Sequence, residues 1–263
     1  MKEEYSFSKL SCFDNCALEY AQKYIEGKKD EGNIFAEYGK TLHSILERYA
    51  KGELQLLRLP EVYEWEMPLV TDKPFPKLGK VDLAATYYKQ GLAFFKEFEG
   101  YDDCGVIGTE AEFRVDIDDW TLHGVVDIIF LDQDGRLIIR DYKSKGEFKS
   151  KREKEEYFRQ LYLYSAYIKE AYGLYPDELQ FLLCRKNTVV KEQFDFAKFN
   201  EALDWAREII AKIRNSFAFP PTYDDMYCKN LCGFRSECTF AQEEGETRKL
   251  ERDIKRRDKL LGD

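Results

Sequence analysis

Hydrophobic positions follow a helical period at both ends of the chain and a strand-like pattern in its middle. The predicted helices cover residues 7–25, 38–50, 87–98, 153–172 and 197–215, followed by a charged C-terminal helix. The predicted strands cover residues 108–116, 121–131, 136–143, 179–184 and 189–196. Four prolines predict an irregular segment at 52–80. Strands bracketed by helices predict an α/β fold, with a mixed central β-sheet flanked by helices.

Two neighbouring predicted strands carry acidic residues at their centres, in GVVDIIFLDQDGRLIIRDYKSK. Asp134-Gly135 indicates a hairpin, and a three-residue loop with Gly135 in the left-handed conformation would set Asp127 opposite Asp141. Lys143 would then share their face of the sheet. Carboxylates so close repel each other, unless a hard cation such as Mg²⁺ or Mn²⁺ binds between them. The alternative is a structural salt bridge between one aspartate and Lys143.

Composition and charge limit the class of protein. A chain of 263 residues that is 44% hydrophobic can bury a large core. No apolar run reaches the roughly eighteen residues of a membrane span, and we expect a cytoplasmic protein without membrane contact. The net charge of −9 argues mildly against a general affinity for nucleic acid, yet six of the twelve residues from 143 to 154 are Lys or Arg.

The seven cysteines indicate metal ligation more than disulfides, because their number is odd and the cytosol keeps thiols reduced. Cys228, Cys232 and Cys238 lie within eleven residues of one another. Three thiolates so close would need a fourth ligand to complete a tetrahedral or cubane site.

Several motifs together resemble the PD-(D/E)XK nuclease superfamily, nearly from end to end. Within it, they are similar to the RecB-like group, which includes the nuclease domains of RecB and AddB and the CRISPR-associated exonucleases of spacer acquisition. YSFSKLSCFDNCALEY resembles the Ser-x-Ser-x-Leu entry helix of that group, and GKTLHSILE resembles its histidine-presenting helix. GVVDII and IIRDYKSK resemble its acidic strands, and RQLYLY its Gln-x-x-x-Tyr motif. The resemblance implies a restriction-endonuclease-like core.

The same resemblance implies a divalent-metal site for phosphodiester hydrolysis. His43, Asp127, Asp141 and the Tyr142 carbonyl would bind Mg²⁺ or Mn²⁺. Asp127 and Asp141 would thereby be catalytic, and Lys143 would orient the attacking water or stabilise the developing negative charge.

The resemblance also implies roles for three further residues. Glu110 corresponds to an additional catalytic acid of the group, although strand alternation puts Glu112 on the same face and leaves the choice open. Gln160 and Tyr164 lie four residues apart on one helical face and would contact DNA.

For the cysteines, the resemblance implies a four-iron, four-sulfur (4Fe–4S) cluster held by Cys16, Cys228, Cys232 and Cys238. Cys12, one helical turn before Cys16, competes as the fourth ligand, and zinc is the alternative occupant. The cluster is expected to be structural and to join the helical N- and C-terminal segments.

Taken as a member of this group, the chain is expected to form a single RecB-like nuclease domain over 1–263. Its parts would be N-terminal helices in 1–52, the nuclease core in 105–195, the cysteine cluster in 222–240 and a charged helix in 241–263. The implied function is metal-dependent DNA exonuclease activity on single-stranded or end-containing DNA, in recombination, repair, phage replication or spacer processing. Recombination, replication or CRISPR-adaptation proteins are candidate partners. The alternative is a non-catalytic iron-sulfur module that binds DNA or serves assembly.

Overall fold

The chain divides into two compact units in a computed structural model that describes residues 2–70, 74–77 and 79–261. Unit 1 comprises Met1–Leu10 and Ile34–Lys212, and unit 2 comprises Ser11–Asn33 and Ile213–Asp263. No helix in the described part of the chain combines the length and the apolar character that a membrane span requires.

The regular elements are as follows. The helices are α1 (Phe7–Asn15), α2 (Ala17–Tyr20), α3 (Ile34–Ala50), α4 (Leu59–Glu66), α5 (Leu83–Glu97), α6 (Lys151–Tyr172), α7 (Phe196–Arg214), α8 (Asp225–Asn230) and α9 (Thr239–Leu261). A π-helical turn covers Ala21–Ile25, and 3₁₀ turns cover Leu56–Arg58 and Met67–Val70. The strands are β1 (Glu3–Tyr5), β2 (Gly105–Ile117), β3 (Trp120–Leu131), β4 (Leu137–Lys143), β5 (Glu178–Leu183) and β6 (Thr188–Gln193).

The strands of unit 1 form a mixed sheet organised around β3. Strand β2 pairs antiparallel with β3 along one edge. The other edge is shared, because β1 pairs with residues 120–122 and β4 pairs with residues 128–131. Among the described residues, 123–127 therefore have no strand partner on that edge. Beyond β4, the sheet continues with parallel β5 and antiparallel β6.

The two faces of the sheet pack against different helices. Ile138 and Tyr142 of β4 belong to a buried core that also contains side chains of α3, α4 and α5. Asp141, which alternates with them along β4, is hydrogen-bonded to α6. Helices thus flank a mixed sheet on both sides, and the predicted fold class is confirmed.

The hairpin between β3 and β4 has the predicted register. The Asp132 amide donates to the Arg136 carbonyl at 3.1 Å, and Gly135 has a φ of 75°. The last ladder pair is Ile128 with Arg140, so the next positions, 127 and 141, face each other. A longer, three-residue turn thus sets both aspartates on the same face of the sheet.

The segment at 52–80 is more regular than the prolines predicted. Helix α4 lies within it, and Pro60 occupies the first turn of that helix. Proline is favoured there because a first-turn residue has no intrahelical partner for its N–H group. The prediction of an irregular segment is wrong for residues 56–70, while its part at 71–73 and 78 lies outside the described residues.

Unit 2 joins the predicted helical segments of the two chain ends. The helix predicted over 7–25 is divided at Cys16, which is extended (φ −156°, ψ 106°) and caps the N-terminus of α2. Within the unit, the Glu31 amide donates to the Gly233 carbonyl at 2.8 Å, and the Arg235 guanidinium donates to the Gly32 and Cys232 carbonyls. The bonds from Glu31 to Gly233 and from Arg235 to Gly32 connect two segments that lie about two hundred residues apart in sequence.

Candidate active site

Asp127 lies where the ladder between β3 and β4 ends. Its Oδ2 atom accepts the Tyr142 backbone N–H at 2.6 Å, so the carboxylate takes the donor that a continued strand would have used. Asp127 is only 8% exposed. An acidic side chain can occupy this buried strand because the opening of the sheet supplies it with a backbone hydrogen bond.

His43 reaches the same place from α3. Its Nε2 atom lies 2.8 Å from the Tyr142 carbonyl oxygen, and its Nδ1 atom lies 3.5 Å from Asp127 Oδ2. Since a carbonyl only accepts, Nε2 carries the proton and the Nδ1 lone pair of the neutral ring faces the carboxylate. Gly39, one turn earlier, lies close to the end of β4: a Cβ there would lie 3.1 Å from Ser144 Oγ.

Glu110 completes a compact group with these two residues. Ligand atoms of His43, Glu110 and Asp127 all lie within 4.8 Å of one another. The pairs flanking position 110 in the ladder set it opposite Asp127, and its φ of 45° interrupts the regular pleat. Such a conformation is uncommon for a residue with a side chain. Glu112, by contrast, is exposed, so Glu110 is the glutamate that joins the group.

Asp141 is held by a lysine and a glutamine. Gln160 Nε2 donates to Asp141 Oδ1 at 2.7 Å, and Lys143 Nζ lies 2.8 Å from Oδ2. The Lys143 ammonium thus forms a close ion pair with Oδ2. Lys143 Nζ also donates to Gln160 Oε1 at 3.1 Å, which closes a triangle of three side chains.

The electrostatics of the site reflect burial and crowded negative charge. Burial raises the pKa of Asp127 well above its ordinary value, and the Asp141 charge adds to the effect. Burial, together with Glu47, raises the pKa of Glu110 to about 7. Burial lowers the pKa of His43, which favours the neutral ring. Surplus negative charge of this kind is what a divalent cation stabilises.

Lys143 is protonated despite its surroundings. Burial opposes the charged form, but the Asp141 and Asp127 carboxylates outweigh burial and hold the pKa of Lys143 above its ordinary value. The ammonium also lies 5.7 Å from the ring centroid of Tyr157 and 5.4 Å from that of Phe181. A fixed cation therefore lies beside the acidic group.

The donor set fits a hard divalent cation. One imidazole nitrogen and carboxylate oxygens are ligands that Mg²⁺ and especially Mn²⁺ accept. The His43 ring donates its other N–H to a carbonyl, which is the usual arrangement behind a metal-binding histidine. Asp141 lies outside the tight group, and its Oδ2 is paired with the Lys143 ammonium.

Several predicted roles stay predictions. The Tyr142 carbonyl, expected to be a metal ligand, accepts the hydrogen bond from His43. Gln160 and Tyr164, expected to contact DNA, are 9% and 6% exposed, and Gln160 Nε2 also donates to the Tyr164 hydroxyl at 3.2 Å. Both side chains are thus occupied with contacts inside unit 1.

Two features near the site were not predicted from the sequence. Glu47 lies one turn after His43 on α3, and its i+4 spacing was an available signal. The Tyr142 hydroxyl forms a buried 2.8 Å hydrogen bond with the Tyr101 hydroxyl, to which Arg140 donates at 3.3 Å. No local sequence pattern predicts the hydrogen bond between the two tyrosines, because they lie 41 positions apart.

A second candidate site lies within unit 2. A cavity of about 480 Å³ is lined there by the cysteines named in the prediction, Cys16, Cys228, Cys232 and Cys238. Cys12 does not line it. The Thr222 backbone contacts two of the thiols: its N–H lies 3.5 Å from Cys16 Sγ, and its carbonyl lies 3.8 Å from Cys228 Sγ.

Two further properties describe this cavity. Among the described residues, no three of the cysteine sulfur atoms lie within 4.8 Å of one another. Gln22, which also lines the cavity, is 9% exposed, and no described residue is a hydrogen-bond partner of its side-chain amide.

Comparison with known proteins agrees with this geometry. The family model of the PD-(D/E)XK nuclease superfamily matches residues 4–239. Among solved structures, a "Putative exonuclease" from Eubacterium rectale has 13% identity and a TM-score of 0.50, over 92% of this chain and 88% of that one. SSO0001 has 15% identity and a TM-score of 0.40, over 91% and 87%. The first similarity shows a shared fold alone, and no curated protein sequence matches the chain.

Proposed function

Because this chain belongs to the PD-(D/E)XK nuclease superfamily, we propose that it is a DNA exonuclease that hydrolyses phosphodiester bonds with Mg²⁺ or Mn²⁺. The substrate would be single-stranded DNA or DNA with free ends. The setting would be recombination, repair, phage replication or spacer processing, together with proteins of those processes.

One observation carries the proposal: ligand atoms of His43, Glu110 and Asp127 converge within 4.8 Å beside the paired Asp141 and Lys143. A purely structural role would be better served by apolar side chains, since burying charged groups destabilises a fold unless they are compensated. Convergence of three anionic or imidazole ligands with a fixed ammonium is, by contrast, what phosphoryl chemistry requires.

Each residue has a role that follows from its contacts. His43 and the carboxylates would bind the cation, which would neutralise charge on the scissile phosphate and acidify a water molecule. Tyr142 orients Asp127 through its backbone N–H and His43 through its carbonyl. Lys143, held by Asp141, would stabilise negative charge that develops on the phosphate oxygens or orient the attacking water.

The proposal is tested with end-labelled single-stranded DNA and Mn²⁺. We expect progressive shortening by the wild-type protein, and a decrease of about 100- to 1000-fold in the rate for Lys143→Ala, because one preorganised charge is removed. Lys186→Ala is a matched control, since Lys186 is an exposed lysine that pairs with Glu147 at the surface. Intact DNA with the wild-type protein, with and without Mn²⁺, would favour a non-catalytic DNA-binding module instead.

We further propose that unit 2 binds a 4Fe–4S cluster through Cys16, Cys228, Cys232 and Cys238, as in the RecB-like group. The single cavity of about 480 Å³ that is lined by these four cysteines supports this. Zinc held by four thiolates is the alternative occupant, and either group would contribute to the structure of unit 2.

A further inference from the structure

We propose that Gln160 is a positioning residue, which orients Asp141 and Lys143 for cleavage, and that it does not act as a DNA contact. The inference deepens the proposed nuclease function and rests on it. Gln160 belongs to α6, and its side chain reaches Asp141 of β4 from that helix.

The geometry of the amide is specific to its two partners. Asp141 Oδ1, an acceptor, lies 2.7 Å from Nε2, and the Lys143 ammonium, a donor, lies 3.1 Å from Oε1. These partners fix the orientation of the amide, because the reversed amide would oppose both. A glutamate at this position would repel Asp141, and a lysine would repel the ammonium. A neutral group with both a donor and an acceptor satisfies the two at once.

The Gln160 amide has little hydrogen-bonding capacity left for DNA. One Nε2 hydrogen is donated to Asp141 and the other to the Tyr164 hydroxyl, at 3.2 Å. The side chain is 9% exposed. A nucleotide that reached the Gln160 amide would have to displace a hydrogen bond to a buried carboxylate, which is among the stronger bonds in proteins.

The consequence for Asp141 is a difference between its two oxygens. Oδ1 is held by the Gln160 amide, whereas Oδ2 lies 2.8 Å from the Lys143 ammonium and forms an ion pair with it. Gln160 therefore holds Oδ1 directly, and through its own Oε1 it holds the ammonium that pairs with Oδ2. Without this hydrogen bond, the carboxylate could rotate about its Cβ–Cγ bond, and the ammonium would lose its second anchor.

The test compares Gln160→Met with Ser165→Ala. Methionine preserves length and neutrality but removes all three hydrogen bonds of the amide, to Asp141, to Tyr164 and from Lys143. Ser165 is a buried residue of the same helix whose hydroxyl donates to the Leu161 carbonyl at 2.8 Å, so its loss serves as a matched control. For Gln160→Met we expect kcat on end-labelled DNA and the affinity for Mn²⁺ each to fall about 10- to 100-fold. KM and the affinity for a labelled oligonucleotide in EDTA are expected to stay unchanged.

The outcomes separate the alternatives. Weakened oligonucleotide binding with an unchanged kcat would overturn the positioning role in favour of DNA contact, and unchanged values throughout would also overturn it. Should Gln160→Met fail to fold, Gln160→Asn keeps the amide but cannot span both partners, and the same losses are expected on a smaller scale. If the wild type cleaves no DNA, the nuclease proposal fails, while Mn²⁺ affinity still decides the role of Gln160.

Discussion

The acidic site of unit 1 and the cysteine cavity of unit 2 each collect ligand groups, but they differ in how those groups are held. In unit 1, Asp127 accepts a backbone N–H, and Asp141 accepts an amide N–H. In unit 2, the thiols of Cys16 and Cys228 make only weak contacts with one backbone residue, and the Gln22 amide has no partner among the described residues. The first site keeps its shape through protein contacts, whereas the thiols of the second have few protein contacts that would fix their positions.

The largest expected effect concerns the proposed cluster of unit 2. Cys16→Ser is expected to reduce bound iron from about four atoms per chain to nearly none, because a 4Fe–4S cluster needs all four thiolates. Cys12→Ser is the matched control, since Cys12 lies one turn away and does not line the cavity. Iron and sulfide analysis after anaerobic purification measures both variants. Iron that survives in Cys16→Ser but is lost in Cys12→Ser would reverse the assignment, and one zinc per wild-type chain would support the alternative metal.

A smaller effect is expected within the acidic site. Glu110→Gln should lower the cleavage rate about 10- to 100-fold, because an oxygen ligand beside Asp127 loses its charge. Glu112→Gln serves as the control, since this neighbouring glutamate is exposed. Single-turnover cleavage of end-labelled DNA distinguishes the two. Equal losses in both variants would contradict the selection of Glu110 over Glu112.

The smallest expected effect is on thermal stability. The raised pKa of Glu110, about 7, means that the folded metal-free protein binds more protons than the unfolded chain, so its stability falls as pH rises from about 4.5 to about 7. Asp127 acts in the same direction. A divalent cation reverses this repulsion, and saturating Mn²⁺ should raise Tm by about 5–10 °C near pH 8.

The control for that shift is the same measurement at lower pH. At about pH 5.5, protons compete with Mn²⁺ for the carboxylates. The increase in Tm on adding Mn²⁺ should therefore be smaller than near pH 8. Glu110→Gln should reduce the difference between the two pH values. Equal stabilisation by Mn²⁺ at both would show that the cation binds elsewhere.

Local chemistry in the sequence was sufficient for the geometry of the hairpin. Asp134-Gly135 predicted the turn, the turn set the register, and the register set Asp127 opposite Asp141. The association of Cys16 with the later cysteines, by contrast, was expected only from family resemblance, because no local pattern reports contacts across two hundred residues.

Other features could not be predicted for physical reasons. Strand β1 has three residues, too few for alternation to be visible. Helix α4 was missed because Pro60 indicates a break unless it falls in a first turn. The positive φ of Glu110 and the inward direction of Gln160 depend on tertiary packing, which local propensity does not report.

Titration of Mn²⁺ into the metal-free protein, followed by electron paramagnetic resonance, tests the central claim most directly. If His43, Glu110 and Asp127 form one cation site, the wild type will bind Mn²⁺ saturably, and Asp127→Asn will bind it at least about 100-fold more weakly. Indistinguishable binding by the two proteins would contradict the proposed site.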